Sequence, residues 1–140
     1  MECRVSWLGN GSMAFSAETG SGHLVNMDGA PEAGGRNLAP RPMELILAGA
    51  GGCSAFDVVL ILQRSRQAVS GCEVVLQAER ATEDPKVFTK INLHFKVKGK
   101  DLDSTKVDRA VKLSHEKYCS ATSMLAKTAE LTYSVEVIAE

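Results

Sequence analysis

The chain has 140 residues, with 16 Lys and Arg against 17 Asp and Glu, so its formal net charge at pH 7 is -1. This length is typical of one domain with one hydrophobic core, and we expect a single domain over residues 1–140. The balanced charge provides no field that would attract the phosphates of a nucleic acid or an anionic membrane, so neither is an expected partner.

The amino-terminal residues lack the basic and apolar segments of a secretory signal peptide, which predicts a cytoplasmic protein. The longest apolar stretch, around residues 45–62, is interrupted by glycines and falls short of the roughly 20 residues needed to span a bilayer. We therefore expect this stretch to form a buried helix rather than a membrane anchor.

Three short strands are predicted at the start of the chain. Alternation and glycine-rich turns place them at residues 3–8, 13–18 and 23–27. Residues 28–41 show no apolar periodicity, which predicts a long exposed loop.

A long helix is predicted to begin at Pro42, because proline is tolerated in the first turn and Glu44 there complements the helix dipole. Nearly every face is apolar from Leu45 to Leu62, which predicts a helix enclosed on all sides. The glycines within residues 49–52 each cost about 1 kcal/mol of helix propensity relative to alanine. Small residues at these positions indicate that another backbone approaches closely.

The second half of the chain predicts a hairpin, two helices and a last strand. In chain order these elements are strands over 72–80 and 87–98, a helix from Asp103 or Ser104 to Tyr118, a short helix over about 120–127, and a strand over 131–138. The assignments rest on two-residue alternation in the strands, helical spacing in the helices and a capping side chain before the first helix. The predicted fold class is α+β, with the order β-β-β-α-β-β-α-α-β.

Four cysteines are scattered along the chain, and neither they nor the histidines show the spacing of metal ligands. They are Cys3, Cys53, Cys72 and Cys119. Free cysteine is among the most buried residue types, so a structural role is the default for each taken singly. Cys3 and Cys72 begin strands and are expected to be packing residues or spectators. In a reducing compartment a functional disulfide tends to be transient.

Two motifs change this expectation for Cys53 and Cys119. The segment Gly51-Gly52-Cys53-Ser54-Ala55, preceded by Pro42-Met43-Glu44-Leu45, resembles the central-helix signature of the OsmC/Ohr family of osmotically inducible and organic-hydroperoxide-resistance proteins. The segment Glu116-Lys117-Tyr118-Cys119-Ser120 resembles the second cysteine motif of that family. The order of elements agrees over the whole chain, and the resemblance is to the YhfA-like branch in particular.

The resemblance implies an OsmC-like fold, in which a long central helix packs in an intertwined homodimer wrapped by antiparallel sheets, with a six-stranded sheet from each chain. It implies that Cys53 attacks the peroxide and becomes a sulfenic acid, and that Cys119 resolves it as a disulfide. An external dithiol would then restore both thiols. No metal or organic cofactor is required, and Cys53 is expected to have a lowered pKa.

The family pattern also points to the amino-terminal end of the central helix. In Ohr-type members a carboxylate ten residues before the reactive cysteine holds an arginine that stabilises the thiolate. Here position 43 is methionine and Glu44 lies one residue on, while Arg36 and Arg41 of the loop are the available arginines. Glu44 is therefore either part of the catalytic pocket or only a first-turn carboxylate that complements the helix dipole.

Three apolar side chains are expected as walls of a pocket for an organic peroxide: Leu45, Phe56 and Met124. Asp57, one helical turn beyond Cys53, is expected to find a partner, either a backbone group or a basic residue across the dimer, or else to tune the thiol. His115 lies one turn before Cys119 and is the histidine with the strongest claim to a role.

Two functions follow as hypotheses. The first is a thiol-dependent peroxidase-like enzyme that reduces organic hydroperoxides in oxidative-stress defence. The alternative is a catalytically weak or inactive dimer of the same fold that binds a small hydrophobic molecule. The rate at which Cys53 reacts near neutral pH discriminates between them.

Overall fold

The computed structural model describes all residues from Met1 to Glu140 and has six strands and three α-helices. In chain order they are β1 (Cys3–Trp7), β2 (Ala14–Thr19), β3 (Leu24–Asp28), α1 (Pro42–Arg64), β4 (Ala68–Arg80), β5 (Phe88–Lys100), α2 (Ser104–Leu113), α3 (Ser120–Leu125) and β6 (Glu130–Ala139). A single 3-10 turn at Pro31–Ala33 precedes α1, and a π-turn at Ser114–Tyr118 joins α2 to α3. The predicted α+β class and the predicted order are confirmed.

The first of two compact regions covers Met1–Leu47 and is built on a three-stranded antiparallel sheet in the order β1-β2-β3. Asn10 adopts a positive φ of 55° in the turn between β1 and β2, a conformation that asparagine tolerates better than most residues. The loop after β3 is organised by Asp28, whose buried carboxylate accepts hydrogen bonds from the backbone N–H groups of Gly29, Arg36 and Leu38. The predicted long loop is therefore fixed by one carboxylate.

Helix α1 begins at Pro42, as predicted, and its first turn is closed by Glu44, whose carboxylate accepts a hydrogen bond of 2.9 Å from the backbone N–H of Arg41. Its buried residues lie on one face: Ala50, Gly51, Ser54, Val58 and Leu62. Ile46 and Phe56 are exposed. The expectation of a helix enclosed on all sides is therefore not met within one chain, because the chain covers only one of its apolar faces.

The glycines of α1 differ in their surroundings. A Cβ atom added at Gly51 would lie 2.6 Å from Cδ1 of Leu76 on β4, so the absence of a side chain there lets β4 pack against the helix. Gly49 and Gly52 face open space within the chain. The predicted close approach is thus made at Gly51 by a leucine side chain rather than by a backbone.

The second region covers Ala48–Glu140 and contains the sheet β4-β5-β6. β4 and β5 form the predicted long antiparallel hairpin, with Val74 opposite Phe95. Alternate residues of β5 from Ile91 onward are buried, and β5 and α2 together supply eight of the fourteen buried apolar residues: Phe88, Ile91, Leu93, Phe95, Val97, Val107, Ala110 and Val111.

The pairing of β6 differs from the antiparallel sheets implied by the family resemblance. β6 lies parallel to β5, with Leu93 opposite Tyr133. Two helices separate these strands along the chain, and a helical crossover returns the chain in the same direction, whereas a short turn reverses it. The chain also forms two separate three-stranded sheets instead of one six-stranded sheet.

Helix α1 is the one helix that is long and apolar enough to cross a membrane by length and composition, although core helices of soluble proteins share these properties.

Candidate thiol site

Helices α1 and α3 bring two cysteines together within the second region. Cys53 lies in the middle of α1 and is half-buried, whereas Cys119 is only 2% exposed and occupies the position that caps the amino terminus of α3. The two thiols lie near enough for each to shift the pKa of the other. A pair of neighbouring free thiols, one of them more accessible than the other, is the arrangement from which a reversible disulfide can form.

The Cys119 sulfur accepts hydrogen bonds from two neighbouring groups. The hydroxyl of Ser54, the residue after Cys53, donates to it over 3.3 Å, and the backbone N–H of Thr122 donates over 3.5 Å. Both donors belong to buried residues. Because successive helical residues point about 100° apart, α1 presents Cys53 and Ser54 to the Cys119 sulfur from adjacent directions.

Ser114 continues this polar network behind the thiols. Its buried hydroxyl lies 3.0 Å from Oδ2 of Asp57 and 3.4 Å from the carbonyl oxygen of Ser54, so it is shared between the two. The Ser114 carbonyl accepts the backbone N–H of Cys119 over 2.9 Å. Asp57 therefore has a serine hydroxyl of its own chain as a partner, and its charge also acts on the Cys53 thiol, which is the alternative role predicted for it.

The environments of the two sulfurs move their pKa values in opposite directions. A hydrogen bond from the backbone N–H of Ala121 lowers the pKa of Cys53, but burial, the hydrogen bond to Cys119 and the negative charge of Asp57 outweigh it and raise that pKa. Burial raises the pKa of Cys119, but the hydrogen bonds from Ser54, Thr122 and Cys53 outweigh it and lower that pKa. Within one chain Cys119 thus has the lower pKa of the pair, and the lowered pKa expected for Cys53 is not present.

The other two cysteines are not among the groups that shift the pKa values of this pair. Cys72 is half-buried on β4, where burial raises the pKa of its thiol, and Cys3 is exposed on β1. Cys72 thus lacks the thiolate character that reactivity requires.

The charged residues expected at the pocket belong to the first region. Glu44 is bound to Arg41 through the backbone bond at its helix start and through a contact of 3.4 Å between Arg41 Nη1 and Glu44 Oε1. Arg36 contributes its backbone N–H to the carboxylate of Asp28. These contacts favour the first-turn interpretation of Glu44.

Of the three expected apolar walls, Phe56 lines a groove of the second region. This open groove has a volume of about 490 Å³ and is also lined by Gly52, Val59, Leu60, Val69 and Cys72. Met124 on α3 is 69% exposed and does not line that groove, and Leu45 is half-buried in the first region. The ring of His115 packs against Tyr133 at a centroid distance of 5.0 Å.

Ser54, Ser114 and Thr122 are the site residues that sequence reasoning missed. Ser54 had been noted only as part of a motif. A small hydroxyl side chain at a core position of a helix is the signal that could have found them, because a buried hydroxyl needs a hydrogen-bond partner.

Comparison with known proteins identifies the family. Residues 34–134 match the family model for OsmC-like proteins. The chain belongs to the OsmC family. The protein YhfA of Escherichia coli K12 is 52% identical over 139 residues, which cover 99% of each chain. The assignment to the YhfA-like branch of the OsmC/Ohr family is therefore confirmed.

Solved structures agree with this OsmC assignment. A hypothetical protein from Aquifex aeolicus VF5 superposes with a TM-score of 0.86 at 29% identity, covering 99% of this chain and 96% of that one. An organic hydroperoxide resistance protein from Elizabethkingia anophelis superposes with a TM-score of 0.73 at 14% identity, covering 98% and 96%. The second likeness shows a shared fold.

Proposed function

We propose that this OsmC-family protein reduces organic hydroperoxides in the cytoplasm, as part of oxidative-stress defence, through Cys53 and Cys119. The observation that carries the proposal is the proximity of two free thiols, of which one is more accessible and the other is buried and has a lowered pKa. The structural likeness to an organic hydroperoxide resistance protein supports the class of substrate.

The reaction needs only the two thiols, a hydroperoxide and a dithiol. Cys53 as a thiolate attacks the terminal peroxide oxygen and the O–O bond breaks, which makes Cys53 a sulfenic acid. The leaving alkoxide takes the proton that Cys119 accepted from Cys53, so an alcohol is released and Cys119 is again a thiolate. The Cys119 thiolate attacks the Cys53 sulfur and expels hydroxide, which becomes water on protonation. An external dithiol then reduces the disulfide.

Cys53 is the more accessible thiol but has a raised pKa, and transfer of its proton to Cys119 would allow it to react. The two thiols influence each other's titration, so the neighbouring Cys119 in its thiolate form would accept the proton of Cys53. The Cys53 thiolate formed in this way is the minor form, but a thiolate of higher pKa is intrinsically the stronger nucleophile. Cys119 would thus act first as the base for Cys53 and then as the resolving thiol.

The proposed working form is a homodimer, supported by the apolar side chains that one chain leaves exposed on α1 and the first sheet. Arg41 and Glu44 would then complete the pocket as the pair that they already form, or Arg36 would do so through its guanidinium, since only its backbone N–H is bound. Leu45, Phe56 and Met124 remain the proposed apolar contacts for the substrate.

The test is an intact mass of the reduced protein before and after one equivalent of cumene hydroperoxide. We expect a loss of two hydrogens and a peptide linked through Cys53 and Cys119. Cys53→Ser should abolish both the linkage and peroxide consumption. Cys72→Ser is the matched control, because it removes another half-buried thiol and should change neither.

A protein that gains oxygen on Cys72 or Cys3, with no link between Cys53 and Cys119, would contradict the proposal. The raised pKa of Cys53 and the open groove at Phe56 favour a second candidate, a weak or inactive dimer that binds a small hydrophobic molecule. Slow alkylation of Cys53 at pH 7 with no turnover would select it.

A further inference from the structure

The two sulfurs of the candidate site are supported unequally. The Cys119 sulfur accepts hydrogen bonds from the Ser54 hydroxyl and the Thr122 backbone N–H, whereas the pKa of Cys53 is raised. Ser54 is 2% exposed, and its hydroxyl donates to the Cys119 sulfur over 3.3 Å. A buried hydroxyl aimed at a buried sulfur stabilises negative charge on that sulfur, because little water is present to do so.

We propose that Ser54 is a positioning residue that makes Cys119 the leaving thiolate when the Cys53–Cys119 disulfide is reduced, so that the external dithiol attacks Cys53. The inference rests on the proposed function for the existence of that disulfide. It assigns a direction to the reductive step.

The step balances with the dithiol as the only co-reactant. One thiolate of the dithiol bonds to the Cys53 sulfur, the bond between Cys53 and Cys119 breaks, and the electron pair stays on Cys119, facing the Ser54 hydroxyl. The second thiolate of the reductant then attacks its own first sulfur and releases Cys53. The dithiol becomes a cyclic disulfide after giving two electrons, and its two protons are left to the protein thiols or solvent.

Access and leaving-group stability favour the same direction. Cys119 is 2% exposed, so an incoming thiolate reaches the half-buried Cys53 more readily. The thiol of lower pKa also leaves faster in thiol–disulfide exchange. The titratable groups that face Cys119 and its partner come from α1 and are Cys53 itself and Asp57, whose carboxylate is engaged by Ser114.

The first experiment keeps Ser54 and uses the full chain carrying Cys3→Ser and Cys72→Ser. The disulfide is formed with diamide, an oxidant that needs no peroxidase activity, and is then opened briefly with N-acetylcysteine before acid quenching. Peptide masses should place the N-acetylcysteine adduct on Cys53. An adduct on Cys119, or no disulfide with diamide, would overturn the inference.

The second experiment measures the hydroxyl itself. In oxidised Ser54→Ala, the opening of the disulfide at pH 7 should be slower than in the parent. In reduced Ser54→Ala, the thiolate absorbance of Cys119 should appear about one pH unit higher than in the parent, which corresponds to a roughly tenfold loss of thiolate at pH 7. Ser16→Ala is the matched control, since it removes a half-buried serine hydroxyl from β2 in the other compact region, and it should leave the Cys119 titration close to that of the parent. Equal titrations for Ser54→Ala and the parent would overturn the inference.

The outcomes separate this inference from the proposed function. If cumene hydroperoxide fails to join the thiols but the diamide disulfide opens at Cys53 and depends on Ser54, the peroxidase proposal fails and the positioning role stands. If the hydroperoxide joins the two thiols but the N-acetylcysteine adduct forms on Cys119, the peroxidase proposal stands and the positioning role fails. If Ser54→Ala does not fold, its near-ultraviolet circular dichroism will be lost. The position of the N-acetylcysteine adduct then decides the question, because that experiment keeps Ser54.

Discussion

The two sheets of the molecule differ in how much of their apolar surface the chain itself covers. The β4-β5-β6 sheet buries alternate residues of β5 against its own region, whereas every residue of β1 is exposed. In the first region Ala17 and Asp28 are the only buried residues, and apolar side chains such as Val5, Trp7 and Leu24 are open to solvent. The second region thus builds a core from its own residues, and the first holds its shape through polar contacts.

Uncovered apolar side chains lie on α1 and on the sheet of the first region. Large exposed apolar patches are rare on monomeric soluble proteins and mark surfaces that are covered by something else. A second copy of the chain is the proposed cover for α1 and the first sheet. The contrast between covered and uncovered apolar residues can be tested residue by residue.

The largest effect is expected where the core of the second region loses an aromatic ring. Phe95→Ala on β5 should lower the free energy of unfolding by about 3–5 kcal/mol, because it leaves a cavity among fully buried neighbours. Urea denaturation followed by circular dichroism measures it. Phe56→Ala is the matched control, since Phe56 is 66% exposed on α1 and should cost far less at low protein concentration. Equal costs would show that Phe56 is as well covered as Phe95.

How far the sequence predicts this molecule follows from the same contrast. Periodicity predicted the order of elements and the β4–β5 hairpin, because alternation and helical spacing are local properties. The parallel pairing of β6 with β5 and the single buried face of α1 depend on which segments meet in space. The motifs drew attention to Cys53 and Cys119, but the hydroxyl of Ser54 on the Cys119 sulfur is a contact between residues far apart in sequence, which no local pattern reports.

An intermediate effect is expected at the polar anchor of the first region. Hydrogen bonds from the backbone N–H groups of Arg36, Leu38 and Gly29 hold the pKa of Asp28 below its ordinary value. A carboxylate with a lowered pKa in the folded state contributes stability that is fully present above its unfolded pKa and is lost as the pH falls through the folded value. The protection of the amides of residues 29–38 against hydrogen exchange should therefore decrease in acid below the ordinary carboxyl range.

Asp28→Asn separates this anchor from general acid unfolding. The amide keeps one acceptor oxygen and loses the charge, so the variant should lose amide protection in residues 29–38 at neutral pH and Tm should fall by a few degrees. The acid-dependent loss of protection should then disappear. An Asp28→Asn protein with the parent's acid dependence would assign that dependence to another carboxyl group.

The smallest effects are expected at two adjacent glycines of α1. Within the chain, Gly51 is covered by Leu76, whereas Gly52 faces open space. Gly51→Ala should lower the free energy of unfolding by about 1 kcal/mol, because its Cβ meets Cδ1 of Leu76 and the strain exceeds the gain in helix propensity. Gly52→Ala meets open space within the chain and should raise the stability by up to about 1 kcal/mol at low protein concentration. If a partner helix approaches α1 at Gly52, as the proposed homodimer requires, the same methyl group should weaken association in sedimentation equilibrium. A Gly52→Ala chain that is more stable and associates as tightly as the parent would move the contact between subunits away from this glycine, since a methyl group cannot be added to a close helix crossing without separating the backbones.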